Sequence, residues 1–419
     1  MQPTLEQLVN TAEIHANAGR WQEAEQAWQQ VYQLSPEHPK ALFGLGFHAL
    51  HRGELAGAQR YLESAVGQAP KDLLAWMTLA TVYKEIKQPE NELKAIDAAL
   101  AVDPYCLPAL LLKGVWMEHQ TRPMEAAEIY GNALKIAPMR AQWPASLAAQ
   151  LEHASRVVAQ YRERYTRHLA ERLAPASAAL PTERQGMWQE ALSILGGNTR
   201  PFHAQSNQLH VPRLPAIPFF ERSLFPWLGA LEQQTDAIRA ELQGLLKAAA
   251  AEFSPYIAYE PGQPVNQWVE LNHSSRWSAL HLWRGGLPVE ENLARCPVTS
   301  AILRALPMAD IPGLCPNVMF SALAPRTHIP PHHGETNARL VAHLPLIVPP
   351  GCSLRVGHEV RSWTMGEALI FDDCIEHEAY NESDELRVVL IFDLWNPLLP
   401  PAERQMVQAM AVAAQEFSA

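Results

Sequence analysis

The sequence predicts a multidomain α + β protein, in which an all-α repeat solenoid precedes a strand-rich domain of the sandwich or jelly-roll class. Two observations carry this prediction. Prolines recur every 34 residues in the first third of the chain, and from about residue 267 the apolar residues tend to alternate with period two. The length of 419 residues sets the scale, because a chain of this size corresponds to about two to three domains.

The first third of the chain is an internal repeat. Small side chains recur 24 residues before each proline, and larger side chains recur eight residues before it. The prolines are Pro36, Pro70, Pro104 and Pro138, the small residues are Ala12, Gly46, Ala80 and Gly114, and the larger residues are Trp28, Leu62, Ile96 and Tyr130. Small residues let two helices approach closely, and proline, which lacks a backbone N–H, ends the second helix. The pattern resembles the tetratricopeptide repeat, of which four copies cover about residues 3–138.

Two roles are open for such a solenoid. Stacked helix pairs can act as a spacer or a dimerisation surface, or they can form a concave groove that holds a peptide. The repeats alone do not name a partner.

The middle of the chain is predicted to connect two domains. The solenoid is placed at residues 1–140, a helical connector at 141–205 and the second domain at 206–419. Helical periodicity with many charges predicts a long helix over 145–174. A Gly-Gly-Asn turn and the prolines from Pro212 to Pro218 then predict a linker, or an arm that lies on the second domain. One amphipathic helix is predicted over 224–250.

Short apolar runs with Gly and Pro between them predict the strands of the second domain. The runs are 277–283, 317–325, 338–348, 354–363, 366–373 and 386–396, of which the fourth is a strand, a turn and a strand. Many short strands of this kind suggest a sandwich or a jelly-roll barrel, whose mouth is lined by inward-facing side chains. The tail is predicted as an amphipathic helix that could cap the fold or support a homodimer.

Composition and charge exclude several classes of function. With 33 basic and 44 acidic residues, the net charge of −11 argues against general binding to nucleic acid. No apolar run approaches the roughly 20 residues that span a bilayer, and no secretory signal is visible. Five scattered cysteines without a CxxC motif favour a reducing cytoplasm over a disulfide framework.

Histidines of the second domain are the candidate functional residues. His332 and His377 can meet at a barrel mouth from different strands. Neutral imidazole is a good ligand for Fe(II) and Zn(II), although an isolated histidine is more often a surface or core residue. The spacing leaves a third ligand open, with Glu335, Asp372 and Asp373 as candidates.

The segment 317–405 resembles the aspartyl/asparaginyl β-hydroxylase family. The motifs that carry the resemblance are PHHG at 331–334 and FDDCIEHE at 371–378, followed by an arginine ten residues past His377. That family consists of Fe(II)- and 2-oxoglutarate-dependent oxygenases on a double-stranded β-helix (jelly-roll or cupin-like). The resemblance therefore implies this fold, these two cofactors and hydroxylation of a peptide side chain, in the founding reaction at the β-carbon of Asp or Asn.

The resemblance also implies a metal site. His332 and His377 match the two iron ligands. Most non-haem iron oxygenases add a carboxylate, but in this family that position is occupied by glycine, here Gly334, which implies water in its place. Asp373 matches a residue that orients a ligand or the bound water.

A cosubstrate site follows from the same resemblance. Arg387 matches the arginine that holds the distal carboxylate of 2-oxoglutarate, a task that suits a bidentate guanidinium. Ser321 can hydrogen-bond the same carboxylate, while His343 and Trp277 match residues beside the cosubstrate. Better-known members have an arginine where this chain has Val341, and Arg339, on the same face of the predicted strand, is expected to compensate.

The sequence is compatible with three functions. The leading hypothesis is a cytoplasmic peptidyl hydroxylase whose repeats hold a peptide or protein substrate. The second keeps the chemistry but acts on a lipid acyl chain or a free amino acid, and a lipid would favour a basic, apolar entrance. The third is a non-catalytic scaffold, against which the presence of His332, His377 and Arg387 in their motifs argues.

Overall fold

The protein is described by a computed structural model that covers residues 3–137, 145–249 and 253–418. The chain divides into two compact units. Met1–Leu180 and Leu195–Asn198 form the first unit, and Pro181–Ile194 and Thr199–Ala419 form the second. Pro138, the last of the predicted repeat prolines, lies outside the described residues.

Four helix pairs make up residues 3–137. The helices are α1 (Leu5–Asn17), α2 (Trp21–Leu34), α3 (Pro39–His51), α4 (Leu55–Gln68), α5 (Leu73–Glu85), α6 (Pro89–Val102), α7 (Leu107–His119) and α8 (Pro123–Ile136). The first helix of each pair begins 34 residues after the previous one, as the repeat predicts. The helices α2, α4 and α6 each end two residues before a repeat proline, because proline cannot donate the next helical hydrogen bond.

The small residues of the repeat are buried against the bulky ones, as predicted. A Cβ added to Gly46 would lie 2.6 Å from Cγ of Leu62, and one added to Gly114 would overlap the ring of Tyr130. Larger side chains at these two positions would separate the helices, so the column of small residues sets their close approach.

The long helix predicted after the repeats is α9 (Ala145–Ala178), which packs against α7 and α8. Its His153 Nε2 lies 2.8 Å from Glu118 Oε2, which also accepts a hydrogen bond from the hydroxyl of Tyr130. The next helix is α10 (Thr182–Leu195). In the described parts of the chain, no helix combines the length and the apolar character that crossing a membrane requires.

The single helix predicted over 224–250 is wrong in its first part. The structure has a short α11 (Leu228–Glu232), a break, and then α12 (Thr235–Ala249); residue 250 lies outside the described residues. Pro226 prevents an earlier start. Glu232 ends α11, where its carboxylate accepts hydrogen bonds from Ala368 N at 2.8 Å and from Arg222. These tertiary contacts override the helical periodicity.

The remaining α-helices described in the second unit are α13 (Glu290–Arg295), α14 (Pro297–Arg304) and α15 (Pro401–Ser418). The last confirms the helix predicted for the tail. It buries Val407 and Ala411 against the rest of the unit and exposes Met406, Met410 and Phe417. The homodimer stays a prediction.

Antiparallel strands form the remainder of the second unit. They are β1 (Ser254–Pro255), β2 (Trp277–Arg284), β3 (Leu287–Pro288), β4 (Val318–Leu323), β5 (Thr327–His332), β6 (Arg339–Ile347), β7 (Cys352–Val356), β8 (Glu359–Ser362), β9 (Leu369–Phe371), β10 (His377–Asn381) and β11 (Arg387–Trp395). Among the described residues they build a larger sheet, in the order β1-β2-β4-β11-β6-β9 with β3 beside β2, and a smaller sheet, in the order β5-β10-β7-β8. A helical repeat region followed by a sheet-rich domain is thus confirmed, and the double-stranded β-helix remains the more specific prediction.

The larger sheet is buried on both faces. Even-numbered residues such as Phe320 and Leu390 share a core with Leu242 of α12. Odd-numbered residues such as Leu323 pack with Leu354 of the smaller sheet. Because side chains alternate along a strand, one face of the sheet carries all of the larger-sheet residues predicted for the site. These residues are Trp277, Ser321, Arg339, His343 and Arg387.

Candidate active site

A cavity of about 450 Å³ lies between the two sheets. Every residue predicted for metal or cosubstrate binding lines it, namely Trp277, Ser321, His332, Arg339, His343, Asp373, His377 and Arg387. Gly334, Glu335 and Val341 line it as well, whereas Asp372 does not. The structure therefore gathers in one place residues that lie more than a hundred positions apart in the sequence.

The two predicted ligand histidines face each other on neighbouring strands. His332 and His377 are paired across β5 and β10, and their ring centroids are 4.0 Å apart. Each Nδ1 is hydrogen-bonded to the backbone carbonyl two residues earlier, at 2.8 Å to Pro330 and 3.1 Å to Ile375. A carbonyl oxygen only accepts, so Nδ1 carries the proton and Nε2 keeps its lone pair. Such a bond to the far nitrogen is the arrangement that orients metal-binding histidines.

Both rings are neutral at physiological pH. Burial, with repulsion from His377, lowers the pKa of His332 to about 3. Burial likewise lowers the pKa of His377 to about 4, helped by the positive charge of Arg339. Neutral imidazole is the form that binds a metal ion.

The strand that carries His332 also contains Pro330 and Pro331. Proline cannot donate to the hydrogen-bond ladder of a sheet and is confined to edge strands. Accordingly, β5 lies at the edge of the smaller sheet, beside β10. Neither β5 nor β10 is among the runs that the sequence predicts as strands, because two prolines and several charged residues hide their alternation.

The carboxylate of Asp373 fills the space that a side chain at residue 334 would need. A Cβ added to Gly334 would overlap this carboxylate, and the Gly334 N–H donates a hydrogen bond of 2.7 Å to the Asp373 carbonyl. Only glycine allows so close an approach. A ligand carboxylate at position 334 is therefore sterically excluded while Asp373 stays in place.

Among the described residues no carboxylate forms a three-residue metal group with the two histidines, although Glu335 and Asp373 line the same cavity. Asp372 lies off the cavity, and its Oδ1 accepts a hydrogen bond of 2.9 Å from Cys374 N. In the described part of the chain, the group of three metal-capable side chains within 4.8 Å of one another is Asp372, Asp373 and Cys374, which includes neither histidine. Burial raises the pKa of the Cys374 thiol, so the thiol stays protonated and makes that group a poor metal site.

Arg339 is buried and paired with two carboxylates. Its Nη1 lies 2.6 Å from Asp373 Oδ2, and its Nε lies 3.4 Å from Asp393 Oδ1. Asp393 is held in turn by Asn317, whose backbone N and Nδ2 donate to Oδ2 at 2.7 and 3.1 Å. These contacts suit a residue that positions Asp373, and a contact between Arg339 and the cosubstrate stays a prediction. Asp393 and Asn317 were not predicted, since no local pattern in the sequence signals this network.

Arg387 is a buried cation that has no counter-charge among the residues the structure describes. Its side chain is 1% exposed, and no residue of the described ranges pairs with its Nε or Nη1. Its Cζ lies 4.7 Å from the ring centroid of Trp363. Burial lowers the pKa of Arg387 to about 10, so it remains charged at neutral pH. An unpaired buried charge is costly unless a ligand supplies the missing anion.

Polar and aromatic groups accompany this arginine in the cavity. Trp277 Nε1 donates a hydrogen bond of 3.2 Å to Ser321 Oγ, which leaves the Ser321 hydroxyl proton free for a ligand. His343 stacks on Trp363 with centroids 5.9 Å apart. Burial and the charge of Arg387 hold the pKa of His343 well below its usual range. Trp363 was missed, because a contact between distant strands leaves no local pattern.

Two further aromatic residues on the cavity wall were also missed. The ring of Trp268 lies 5.1 Å from that of His332, and Tyr256 stacks on Trp277 with centroids 4.1 Å apart. They extend the apolar wall beside the histidine pair.

Known protein families resemble both parts of the chain. The family model described as aspartyl/asparaginyl beta-hydroxylase matches residues 232–397, and a tetratricopeptide repeat model matches residues 16–82. The ornithine lipid ester-linked acyl 2-hydroxylase of Rhizobium tropici is 37% identical over 203 residues, which cover 48% of this chain and 68% of that protein.

Two animal relatives match over smaller shares of their own length. Human aspartate beta-hydroxylase domain-containing protein 2 is 34% identical over 212 residues, covering 50% of this chain and 55% of that protein. Mouse aspartyl/asparaginyl beta-hydroxylase is 36% identical over 142 residues, covering 33% of this chain and 19% of that protein. With the cavity and the repeats described above, these matches show that the chain belongs to the aspartyl/asparaginyl β-hydroxylase family and carries tetratricopeptide repeats before its hydroxylase domain.

Proposed function

We propose that the protein is an Fe(II)- and 2-oxoglutarate-dependent dioxygenase that hydroxylates a carbon of a peptide or protein side chain. The observation that carries the proposal is the unpaired, buried Arg387 in the cavity that also holds the His332–His377 pair. A small dicarboxylate would supply the missing anion to the arginine and leave its other end for a metal ion.

His332 and His377 would hold the metal through Nε2. Neutral imidazoles suit Fe(II), and two protein ligands leave coordination positions for a cosubstrate and for water. When bound, iron with 2-oxoglutarate and O2 supplies the oxidising chemistry, which yields succinate, CO2 and one oxygen atom inserted into a C–H bond of the substrate.

The protein's own residues would bind the cosubstrate and orient a water molecule. Arg387 and Ser321 would take the distal carboxylate of 2-oxoglutarate. Trp363 lies against the guanidinium and limits its access to water, which strengthens an ion pair formed there. Asp373, fixed by Arg339, would orient a water molecule beside the histidine pair.

For the substrate, we propose the β-carbon of Asp or Asn in a peptide that the repeats hold. A second candidate is a lipid acyl chain, because the relative that shares 68% of its length with this chain is named an ornithine lipid acyl hydroxylase; a free amino acid would suit the same chemistry. A non-catalytic scaffold would have no use for a buried arginine that lacks a partner in the described part of the chain. The proposed location is the cytoplasm, in keeping with the five free cysteines.

The test is turnover with Fe(II), ascorbate, 2-oxoglutarate and candidate substrates. We expect succinate, and a product heavier than the substrate by the mass of one oxygen atom. Asp- and Asn-containing peptides form one arm of the assay and acylated ornithine lipids form the other. His332→Ala should abolish succinate formation, whereas His358→Ala, outside the cavity, should not. Wild-type turnover by His332→Ala would show that the ligand assignment is wrong.

A further inference from the structure

We infer that residues 205–211 hold in place the two loops that carry the metal site, and that Asn207 and Ser206 are positioning residues for metal binding. We call this segment the metal-site strap. The inference rests on the proposed function, because it concerns the metal ion of the same site. The strap precedes residues 232–397, which the family model matches, so the resemblance assigns it no role.

The two metal-site loops are connections between strands. Residues 333–338 join β5 to β6, and residues 372–376 join β9 to β10. The first loop directly follows His332 and the second directly precedes His377, so a shift of either loop moves a histidine of the pair. The strap and both loops belong to the second unit. A loop lacks the hydrogen-bond ladder of a sheet, so its backbone groups need other partners.

The strap supplies those partners to the first loop. Three successive carbonyls of the loop accept hydrogen bonds from it. Asn207 Nδ2 donates to His333 O at 2.7 Å, and Asn207 N donates to Gly334 O at 2.9 Å. The backbone N–H groups of the next two strap residues donate to Glu335 O at 3.0 and 3.1 Å. Asn207, which also lines the cavity, therefore holds the two residues that follow His332.

The same segment holds the second loop. Gln205 N donates a hydrogen bond of 2.7 Å to the Cys374 carbonyl. Ser206 Oγ lies 3.3 Å from Cys374 Sγ and accepts a hydrogen bond of 3.2 Å from Asn337 N in the first loop. Ser206 therefore ties the two loops together, next to Asp373.

A buried side chain anchors the far end of the strap. Asn337 is 1% exposed, and its carboxamide accepts from Val211 N and donates to Val211 O, each at 2.8 Å. The Asn337 carbonyl accepts in turn from Asn396 Nδ2 at 3.1 Å. The strap is thus anchored on both sides of Asn207, at Cys374 and at Asn337.

The second loop also orients a histidine of the metal site directly. The Nδ1 of His377 is hydrogen-bonded to the carbonyl of Ile375, which follows Cys374 in that loop. A displaced loop would therefore turn the ring. Removing a partner that orients a metal ligand lowers metal affinity by about 10–100-fold. We expect the lower end of this range for the Asn207 side chain, because the backbone hydrogen bonds of the strap remain.

The experiment is titration of the metal-free full chain with Mn(II) alone, in the absence of oxygen, with EPR spectroscopy to measure the free ion. Asn207→Ala removes the side-chain donor and keeps the backbone N–H, so Mn(II) should bind about tenfold more weakly. Because Asn207 is exposed, urea unfolding of the metal-free protein should change little. Ser206→Ala should weaken Mn(II) binding in the same way.

Asn292→Ala is the matched control. Asn292 Nδ2 donates a similar hydrogen bond of 2.8 Å to the carbonyl of His281 on β2, away from the metal-site loops. This variant should bind Mn(II) as the wild type does. The visible absorption of bound Co(II) reports the geometry of its ligands, so it should change in the two strap variants and stay unchanged in the control.

The outcomes separate this inference from the proposed function. If the wild type binds Mn(II), and both strap variants match it in affinity and in the Co(II) spectrum, the strap does not position the metal site and the proposed function stands. An equal loss of affinity in Asn292→Ala would overturn the inference as well, because any lost hydrogen bond would then have the same effect. If the wild type binds no Mn(II), both are wrong.

Discussion

Two arginines in one cavity differ in what surrounds them. Arg339 and Arg387 are 5% and 1% exposed, and both lie on the same face of the larger sheet. Arg339 is paired with Asp373 and Asp393, whereas Arg387 has the ring of Trp363 and, in the described residues, no carboxylate. A paired buried charge belongs to the architecture of the protein, and an unpaired one indicates a site for an anion that the protein itself does not contain.

The neighbouring strands explain this difference. On β11, Asp393 lies two residues before Trp395, which is the partner of Arg339, and β9 leads directly into Asp373 on the other side. Both carboxylates therefore reach the Arg339 end of β6. The partner of Arg387 on β4 is Leu323, which offers no charge.

The largest effect is expected from Arg339→Met. The substitution leaves the carboxylates of Asp373 and Asp393 buried without a cation, so we expect the free energy of unfolding to fall by about 3–5 kcal/mol. Urea unfolding of the metal-free protein measures it. Adding Asp373→Asn and Asp393→Asn to Arg339→Met should recover part of the lost free energy of unfolding. If Arg339→Met alone lost almost nothing, the ion pairs of Arg339 would have no structural role.

Arg387→Met should behave in the opposite way. Its removal takes away an unpaired buried cation, so the free energy of unfolding without ligand should stay the same or rise. The affinity for 2-oxoglutarate should fall by about a hundredfold, the loss expected for a bidentate charged contact. Calorimetry and urea unfolding measure the two quantities. Arg387→Lys keeps the positive charge but not the bidentate geometry, so its affinity for 2-oxoglutarate should lie between those of the wild type and Arg387→Met. If Arg387→Met lost as much stability as Arg339→Met, the proposed difference between the two arginines would be wrong.

Gly334→Ala perturbs the Arg339 end alone. The added methyl group overlaps the Asp373 carboxylate, so we expect a loss of about 1–3 kcal/mol in the free energy of unfolding, with the affinity for 2-oxoglutarate nearly unchanged. Gly244→Ala in α12 is the control, because its Cβ would meet nothing within 4 Å and should not destabilise. In a protein that already carries Asp373→Gly, Gly334→Ala should lower the free energy of unfolding by less. An equal loss in both backgrounds would show that the added methyl group does not clash with Asp373.

The smallest change for a single residue, taken over one pH unit, concerns the histidines between the two ends. The pKa values of His332 and His377 are about 3 and about 4, below the ordinary value of 6.5. Well above pH 6.5, neither the folded nor the unfolded chain binds protons at these rings, so they do not reduce the free energy of unfolding. As the pH falls below 6.5 the unfolded chain takes up protons that the folded chain refuses, so stability falls until the folded rings titrate.

We expect this fall to be about 1 kcal/mol per pH unit for each ring in the metal-free protein. Urea unfolding at several pH values measures it. The double variant His332→Gln with His377→Gln should show a shallower dependence, and identical slopes would mean that the rings are not held neutral.

Part of the fold could not be read from local patterns. The alternating run 277–283 and the continuous apolar run 386–396 became β2 and β11. In contrast, the predicted runs do not include β5 and β10, although the two histidines were expected on different strands. Pro330 and Pro331 are tolerated in β5 only because it lies at a sheet edge. The prediction of one helix over 224–250 was wrong in its first part, again because of a contact between distant segments. Ala368 N donates a hydrogen bond to the Glu232 carboxylate where α11 ends.

The sequence by itself determined the 34-residue repeat, the alternation that puts Trp277, Ser321, His343 and Arg387 on one face, and the motifs around His332 and His377. These features depend on backbone period and on short spacing, which a chain expresses locally. Only the tertiary structure decided that Arg339 is paired, that Arg387 is not, and that Asp373 fills the space in front of Gly334. Those outcomes depend on strand register and on distances between segments far apart in the chain, where one residue of slip would exchange the two faces of a strand.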